Sequence, residues 1–461
     1  MKQAGNNSGT FSLKSRIKRF LRDNNRWSVF TLAIVLFLAL PIVFIGVELF
    51  SGPGETWSHI VEYLLPEYIL NSLYLVLICS ILVLILGVSS AWFVSRFEFP
   101  FRKQMEWLLI LPLAIPSYIV GYAYAGIFDY GGTLDLIFRQ LNIDFIRIDI
   151  MNRAGLAFVL SISLFPYVYV SARAFFLNQA NNLLEASKML GVSERKTFFK
   201  LMLPLARPAI VAGLVLVLME VLNDYGAAKY YGVNTFTTGI FRSWFSLEEP
   251  ETAVYLSALL IIIIFALILL EKWQVRKIKF TSSKTNNTQI QRKESSRIRE
   301  WLIFTLVFIP VLIGFVLPVA QLIYWAYLTA STVFDLQFLV ISLQSFGIAI
   351  VSALITVFFA LLLIYFSKWS ALRFIKNVAR VGVLGYAIPG AVIAIGIMIP
   401  TLALDKWLID VLARFGIDSG LIINGTLIAL FYAYAVRFLA VAYNPIESTA
   451  LKVDSSIPDS S

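Results

Sequence analysis

Apolar residues in this chain do not alternate with polar ones at the spacing of a half-buried helix or strand; they run on without interruption. Stretches of roughly 20 residues, the length a helix needs to cross about 30 Å of hydrocarbon, recur along the whole sequence. Ten such segments are centred near residues 38, 82, 117, 163, 216, 262, 314, 352, 391 and 431. The pattern predicts an all-α, polytopic membrane protein of about ten helices. The first run, Trp27 to Phe50, is too long for the apolar core of a signal peptide and has no small-residue cleavage site after it, so it reads as a retained span.

The polar intervals set the expected topology. Lys14, Arg16, Lys18, Arg19, Arg22 and Arg26 precede the first span, which makes residues 1–26 a basic arm expected in the cytoplasm. Arg96, Arg102 and Lys103 follow the second segment and Lys368, Arg373, Lys376 and Arg380 the eighth, so both of these loops are placed inside as well. Loops 51–66, 129–150 and 404–420, with proportionally more acid and glycine, fall outside. Residues 272–300 are polar, basic and rich in Ser, Thr, Asn and Gln, and read as a cytoplasmic linker with a minor attraction to lipid head groups.

The linker divides a first half, 27–271, with six spans from a second, 301–461, with four. An internal repeat supports the division. Ala-Ile-Pro at 114–116 returns at 387–389, and at the same offset Ser72 meets Ser345 and Phe93 meets Phe366. Six spans is an even number, so both halves should enter the membrane in the same sense, as parallel repeats do. The chain is thus expected to hold two six-helix repeats with the second cut short. A counterpart of residues 185–187 would fall near residue 458, where the chain reads SSIPDSS and offers Asp459 and two serines.

Composition narrows the classes. A mean hydropathy of +0.79 with 14% charged residues in 461 excludes a soluble globular domain. The net charge of +10 concentrates in segments placed on the cytoplasmic face, so no nucleic-acid partner is expected. One cysteine, Cys79, and one histidine, His59, rule out an internal disulfide and make a Cys/His metal cluster implausible. Cys79 reads as a packed helix residue and His59 as a solvated loop residue. No constellation of nucleophile, base or metal ligands appears, so no catalytic residue, metal or bound cofactor is expected in this chain.

One cytoplasmic stretch stands apart: NNLLEASKMLGVSERKTFFKLMLPLARPAI, 181–210. Its local chemistry predicts helix, turn, helix. Asn182 can cap a helix whose third residue is Glu185, and Gly191 suits a helix C-terminus that needs positive φ. Ser193 can cap a second short helix, which Pro204 should end, with Pro208 in the first turn of the next span. A similar loop could also serve only to pack against its neighbours.

Glu185, Ala186, Ser187, Gly191, Leu203 and Pro204 fall on the EAA loop of ABC-importer permeases, which this stretch, 182–208, resembles. Ser187 stands where the motif has a second alanine. The resemblance implies a multi-pass permease of a bacterial inner membrane, N-terminus in the cytoplasm. It also implies a loop that docks on a cytoplasmic ATPase, normally a dimer, and a periplasmic binding protein that delivers substrate. GVSERKT at 191–197 lacks the glycine and Gly-Lys-Ser/Thr ending of a phosphate-binding loop, so ATP is expected to be used by the partner subunit.

After the loop, residues 214–245 begin apolar and turn polar and aromatic. Glu220 and Asp224, four apart, are expected on one helix face, although a charge at the bilayer centre costs on the order of 3 kcal/mol. Together with Tyr225 they either line a translocation pathway or hold the packing by hydrogen bonds. The stretch LMEVLNDYGAAKYYGVNTFTTGIFRSWF and the two fused halves are similar to the ferric-iron subfamily of these permeases. Thiamine, polyamine or other small-solute permeases share the architecture. A secondary transporter would also explain ten helices and buried carboxylates, but not the loop.

Overall fold

The computed structural model describes residues 26–143, 148–189, 191–276, 292, 295–369 and 373–450. The basic arm, most of the linker and the stretch containing Asp459 lie outside them. Among the described residues nine helices are long and apolar enough to cross a membrane, or ten if one bent pair counts as a span. All ten fall on the segments marked by hydropathy. The chain is a polytopic, all-α membrane protein.

In chain order, α1 (Arg26–Glu48) is followed by α2 (Leu65–Arg96). The third segment is the bent one: α3 (Arg102–Leu108) passes through a 3-10 turn into α4 (Ser117–Phe128) and α5 (Thr133–Gln140), with a 92° change of direction. Then come α6 (Arg153–Met189), α7 (Leu203–Asn223), α8 (Gly226–Tyr230), α9 (Phe236–Phe245) and α10 (Pro250–Arg276). Beyond the linker lie α11 (Arg297–Val311), α12 (Leu317–Val333), α13 (Leu336–Trp369), α14 (Arg373–Gly382), α15 (Gly390–Arg414) and α16 (Leu427–Ala450).

The repeated Ala-Ile-Pro is a structural repeat. Ile115 and Ile388 are both extended, with φ/ψ of −106/123 and −90/134, and Pro116 and Pro389 follow at −54/138 and −53/139. Proline pushes the residue before it out of the helical region and then starts the next helix with its fixed φ. Each triplet therefore ends a 3-10 turn and opens a membrane helix, α4 in one half and α15 in the other.

Prolines elsewhere are absorbed differently. At three of the Leu-Pro pairs, 65–66, 203–204 and 317–318, one π-turn lies directly before the pair: Ile60–Leu64, Phe198–Met202 and Leu312–Val316. In each case the leucine N–H reaches the carbonyl five residues back: Leu65 to Ile60, Leu203 to Phe198, Leu317 to Leu312. A proline ring would collide with the carbonyl four residues before it in a regular helix, and the wider turn moves that carbonyl aside. Pro204 therefore does not end the helix, contrary to the expectation from the sequence. The backbone stays helical from Glu194 to Asn223, and Pro208 lies inside α7.

Two compact units cut across the halves read in sequence: residues 52–335 form one, and 1–51 with 336–461 the other. In the first, α6 packs on α2 and α7. Gly87 of α2 and Gly213 of α7 close on Val168 from either side. A Cβ at Gly87 would stand 2.8 Å from the Val168 Cβ, and one at Gly213 2.9 Å from its Cα. The second half's α11 and α12 complete this unit, α11 against α2 and α3, α12 against α4. Tyr124 donates to the Ile313 carbonyl at 2.6 Å and Thr133 to Gln321 at 2.8 Å.

In the other unit α1 lies on α13, α14 and α15. Trp27 and Phe30 stack on Phe366 with centroids 5.5 and 5.3 Å apart, and the Tyr432 hydroxyl donates to the Phe37 carbonyl at 2.5 Å. The opening span of each half thus packs with the later helices of the other half, an exchange that hydropathy along the chain does not encode.

One polar tie in the larger unit titrates. Thr56 donates its N–H to both oxygens of Glu249 at 3.1 and 3.2 Å and its hydroxyl at 2.5 Å, while Thr252 adds a bond of 2.8 Å. The Thr56 hydroxyl bond, chiefly, holds the Glu249 carboxyl below its ordinary value of 4.5. A carboxylate with a depressed folded-state value stabilises above its unfolded value and loses that contribution as pH falls through the folded one. Glu249→Gln is expected to flatten the acid limb of thermal stability below about pH 5 and leave neutral pH little changed, read by unfolding in detergent across pH.

Candidate functional site

The loop of 182–208 grows out of a membrane helix. α6 runs unbroken from Arg153 to Met189, so Glu185, Ala186 and Ser187 stand on its extension; no new helix starts at Asn182, contrary to the expectation. No proline or glycine intervenes between Pro166 and Gly191, so nothing interrupts the backbone ladder there. The side chains of Glu185 and Ala186 lie outside the described residues; Ser187 is buried.

Gly191 ends the helix as predicted, with φ of 69°. Val192 N–H then bonds the Ser187 carbonyl at 3.0 Å, the six-to-one closure of a left-handed helix end. The return arm begins at Glu194–Thr197. The Ser193 carbonyl accepts from both the Thr197 N–H at 2.9 Å and its hydroxyl at 3.1 Å, and the arm passes through the π-turn into α7. Phe198 anchors the arm on Trp92, centroids 4.8 Å apart, and Trp92 meets Phe176 of α6 at 5.5 Å. Leu203 is half-buried and Pro204 exposed. At the tip, Met189 is 88% exposed and Phe199 65%, apolar side chains offered outward on a fixed frame.

A side chain in the left-handed region costs about 1–2 kcal/mol, more when β-branched. Gly191→Val is therefore expected to make the turn protease-sensitive while Gly191→Asn, which tolerates that region, leaves it resistant. Limited proteolysis of the purified chain reads the difference.

The second constellation differs from its prediction. α7 ends at Asn223, and Asp224 turns out of the helix with ψ of 120°, so Glu220 and Asp224 do not share a helix face. The reason is what Asp224 binds. One carboxylate oxygen accepts the N–H groups of Ala227 and Ala228 at 2.9 and 3.0 Å, opening α8. The other accepts the Ser117 hydroxyl at 2.5 Å, and the Asp224 carbonyl accepts Thr237 at 2.7 Å. Asp224 thereby joins α7, α8, α4 and α9. Tyr225 lies on Phe241, centroids 4.2 Å apart, and Glu220 is half-buried on α7.

Ser117 and Thr237 escaped sequence reading. The available signal for Ser117 was its position immediately after the Ala-Ile-Pro break. For the threonines it was the run TFTTG, in which Thr235 and Thr238 form a reciprocal capping box that starts α9. Among the described residues no three His, Cys, Asp or Glu side chains come together as a metal site.

Residues 83–279 match the family described as the binding-protein-dependent transport system inner membrane component. That stretch is similar to the membrane components of this family. It contains the loop, the Asp224 junction and α10.

Several relatives share this permease character over different lengths. The Fe(3+)-transport system permease protein FbpB 2 of Haemophilus influenzae is 27% identical over 383 residues, covering 80% of this chain and 71% of the relative. A probable sulfate transport system permease protein cysT of Marchantia polymorpha is 25% identical over 253 residues, 53% of this chain and 85% of the relative. The spermidine/putrescine transport system permease protein PotB of Haemophilus influenzae is 26% identical over 216 residues, 45% and 74%.

Proposed function

We propose that this chain is the membrane permease of an ATP-driven, binding-protein-dependent importer whose substrate is ferric iron. The observation that carries the reading is that the permease-domain match over 83–279 encloses the loop of 182–208. In that reading the exposed tip around Met189 seats on a cytoplasmic ATPase, and the rigid continuation of α6 carries nucleotide-driven motion into the membrane. The arm before α1 lies in the cytoplasm, a periplasmic protein delivers substrate, and the bilayer is a bacterial inner membrane. ATP is bound and hydrolysed by the partner subunit, and this chain holds no cofactor.

Ferric iron is favoured over sulfate or polyamine because the iron-transport relative aligns with 80% of the chain, across both halves, whereas the others cover about half of it. Proteoliposomes containing the chain, its ATPase and an iron-loaded periplasmic binding protein are expected to accumulate labelled iron only with ATP. Accumulation driven by an ion gradient without ATP would overturn the importer reading. ATP-driven uptake of sulfate, spermidine or thiamine in place of iron would keep the importer and replace its substrate.

A further inference from the structure

Glu106 and Arg173 join α3 to α6, Arg173 Nη2 lying 2.9 Å from Glu106 Oε2. The other oxygen of Glu106 takes Arg102, whose side chain is 4% exposed and which also reaches Glu98 at 3.1 Å. One turn before Arg173, the Tyr169 hydroxyl donates to the Glu106 carbonyl at 3.2 Å. The short helix is therefore held to the long one by side chain and backbone together.

In the other unit α14 and α16 hold the corresponding places, α14 leading into the second Ala-Ile-Pro break as α3 leads into the first. There Arg380 Nη2 lies 3.3 Å from Glu447 Oε1, and one turn before Glu447 the Tyr443 hydroxyl donates to the same oxygen at 3.4 Å. Residues 106 and 173, and residues 380 and 447, are each 67 positions apart. Both pairs have a tyrosine four residues before the long-helix member. The sign is reversed, the acid sitting on the short helix in the first half and on the long helix in the second, and Tyr443 bonds the acid of its own helix where Tyr169 reaches across. The second pair also lies 274 positions after the first, one more than the offset of 273 between the Ala-Ile-Pro triplets. A reversal that keeps the spacing, the helices and the tyrosine preserves the join while changing both partners.

We propose that these ion pairs are equivalent clamps, one in each half, that fix the base of the long helix to the short helix ahead of the Ala-Ile-Pro break. In the first half the clamp aims the α6 extension that carries Glu185, Ala186, Ser187 and Gly191. From Arg173 to Met189 the helix spans about 24 Å, so a small angular freedom at the base becomes a large displacement at the tip. Arg173 is a positioning residue. That the extension serves ATPase docking rests on the function proposed above; the clamp itself does not.

The test places spin labels on cysteines at Trp107 and Met189, which are 75% and 88% exposed, in a Cys79→Ser background of the full chain in nanodiscs. The parent is expected to give a single narrow distance, Arg173→Gln to lose it for a broad distribution, and Arg173→Lys to keep it. A distribution in Arg173→Gln as narrow as the parent's would overturn the clamp. In the second half, Arg380→Glu and Glu447→Arg are each expected to lower the thermal midpoint, and the double exchange to recover it. A double variant that falls by the sum of the two singles would overturn the equivalence. Uptake measured on the same preparations separates the two readings: a parent without ATP-driven uptake counts against the importer, while the distances still judge the clamp.

Discussion

Asp224→Ala is expected to destabilise the chain by about 3 kcal/mol or more, because hydrogen bonds to a charged group contribute about 1.5–3 kcal/mol each and three donors lose their acceptor together. Those donors are the Ser117 hydroxyl of α4 and the N–H groups of Ala227 and Ala228 of α8. The thermal midpoint in detergent should fall, and proteolysis should begin between α7 and α9. Asp224→Asn is a sharper probe. An amide oxygen can still accept from Ala227 and Ala228, and its NH₂ can donate to the Ser117 hydroxyl, so the junction survives without its charge. If iron uptake persists in Asp224→Asn, the carboxylate only holds helices together. If uptake collapses while the midpoint stays, the charge itself belongs to the pathway that the sequence suggested.

The second large effect is expected in the other unit, at a residue that hydropathy placed in an outer loop. Asp405 lies within α15 and is 0% exposed, because that helix continues to Arg414 and not into a loop at 404. Its carboxylate accepts the N–H groups of Ile422, Ile423 and Asn424 at 3.0, 2.8 and 2.8 Å and the Asn424 amide at 3.2 Å. Four donors surround it, which is how an anion is tolerated there. Asn424 in turn accepts from Thr401 at 3.1 Å. Asp405→Ala leaves these donors unmatched and is expected to lower the thermal midpoint. Hydrogen exchange at the amides of 422–424 should accelerate by about a hundredfold or more if the segment opens locally. Unchanged exchange there would mean that the turn is held by something other than this carboxylate.

Asp224 and Asp405 show where reading along the chain stops. Each is an acid in or beside an apolar run, and the general expectation for such a residue is function. Which acid closes a helix start, which one gathers a distant loop, and which stays available depends on backbone donors far away in sequence: Ser117 is 107 positions from Asp224, and Asn424 is 19 from Asp405. Neither distance leaves a periodic mark.

Three features were fixed by local chemistry. Long apolar runs must satisfy their own backbone in a bilayer, so ten segments became nine spans and a bent one among the described residues. Ile-Pro cannot continue a helix, so both Ala-Ile-Pro triplets became breaks with nearly identical dihedrals. A helix end that needs positive φ takes glycine, so the loop turns at Gly191. Other features were decided by packing alone. Leu203-Pro204 reads as a stop, yet one widened turn carries the helix through it. Nothing in hydropathy tells a span which neighbours to join, since every apolar helix is equally content in lipid. The exchange of opening helices between the halves, the Asp224 junction and the sign-reversed clamps at Glu106–Arg173 and Arg380–Glu447 exist only because tertiary structure brings particular side chains together.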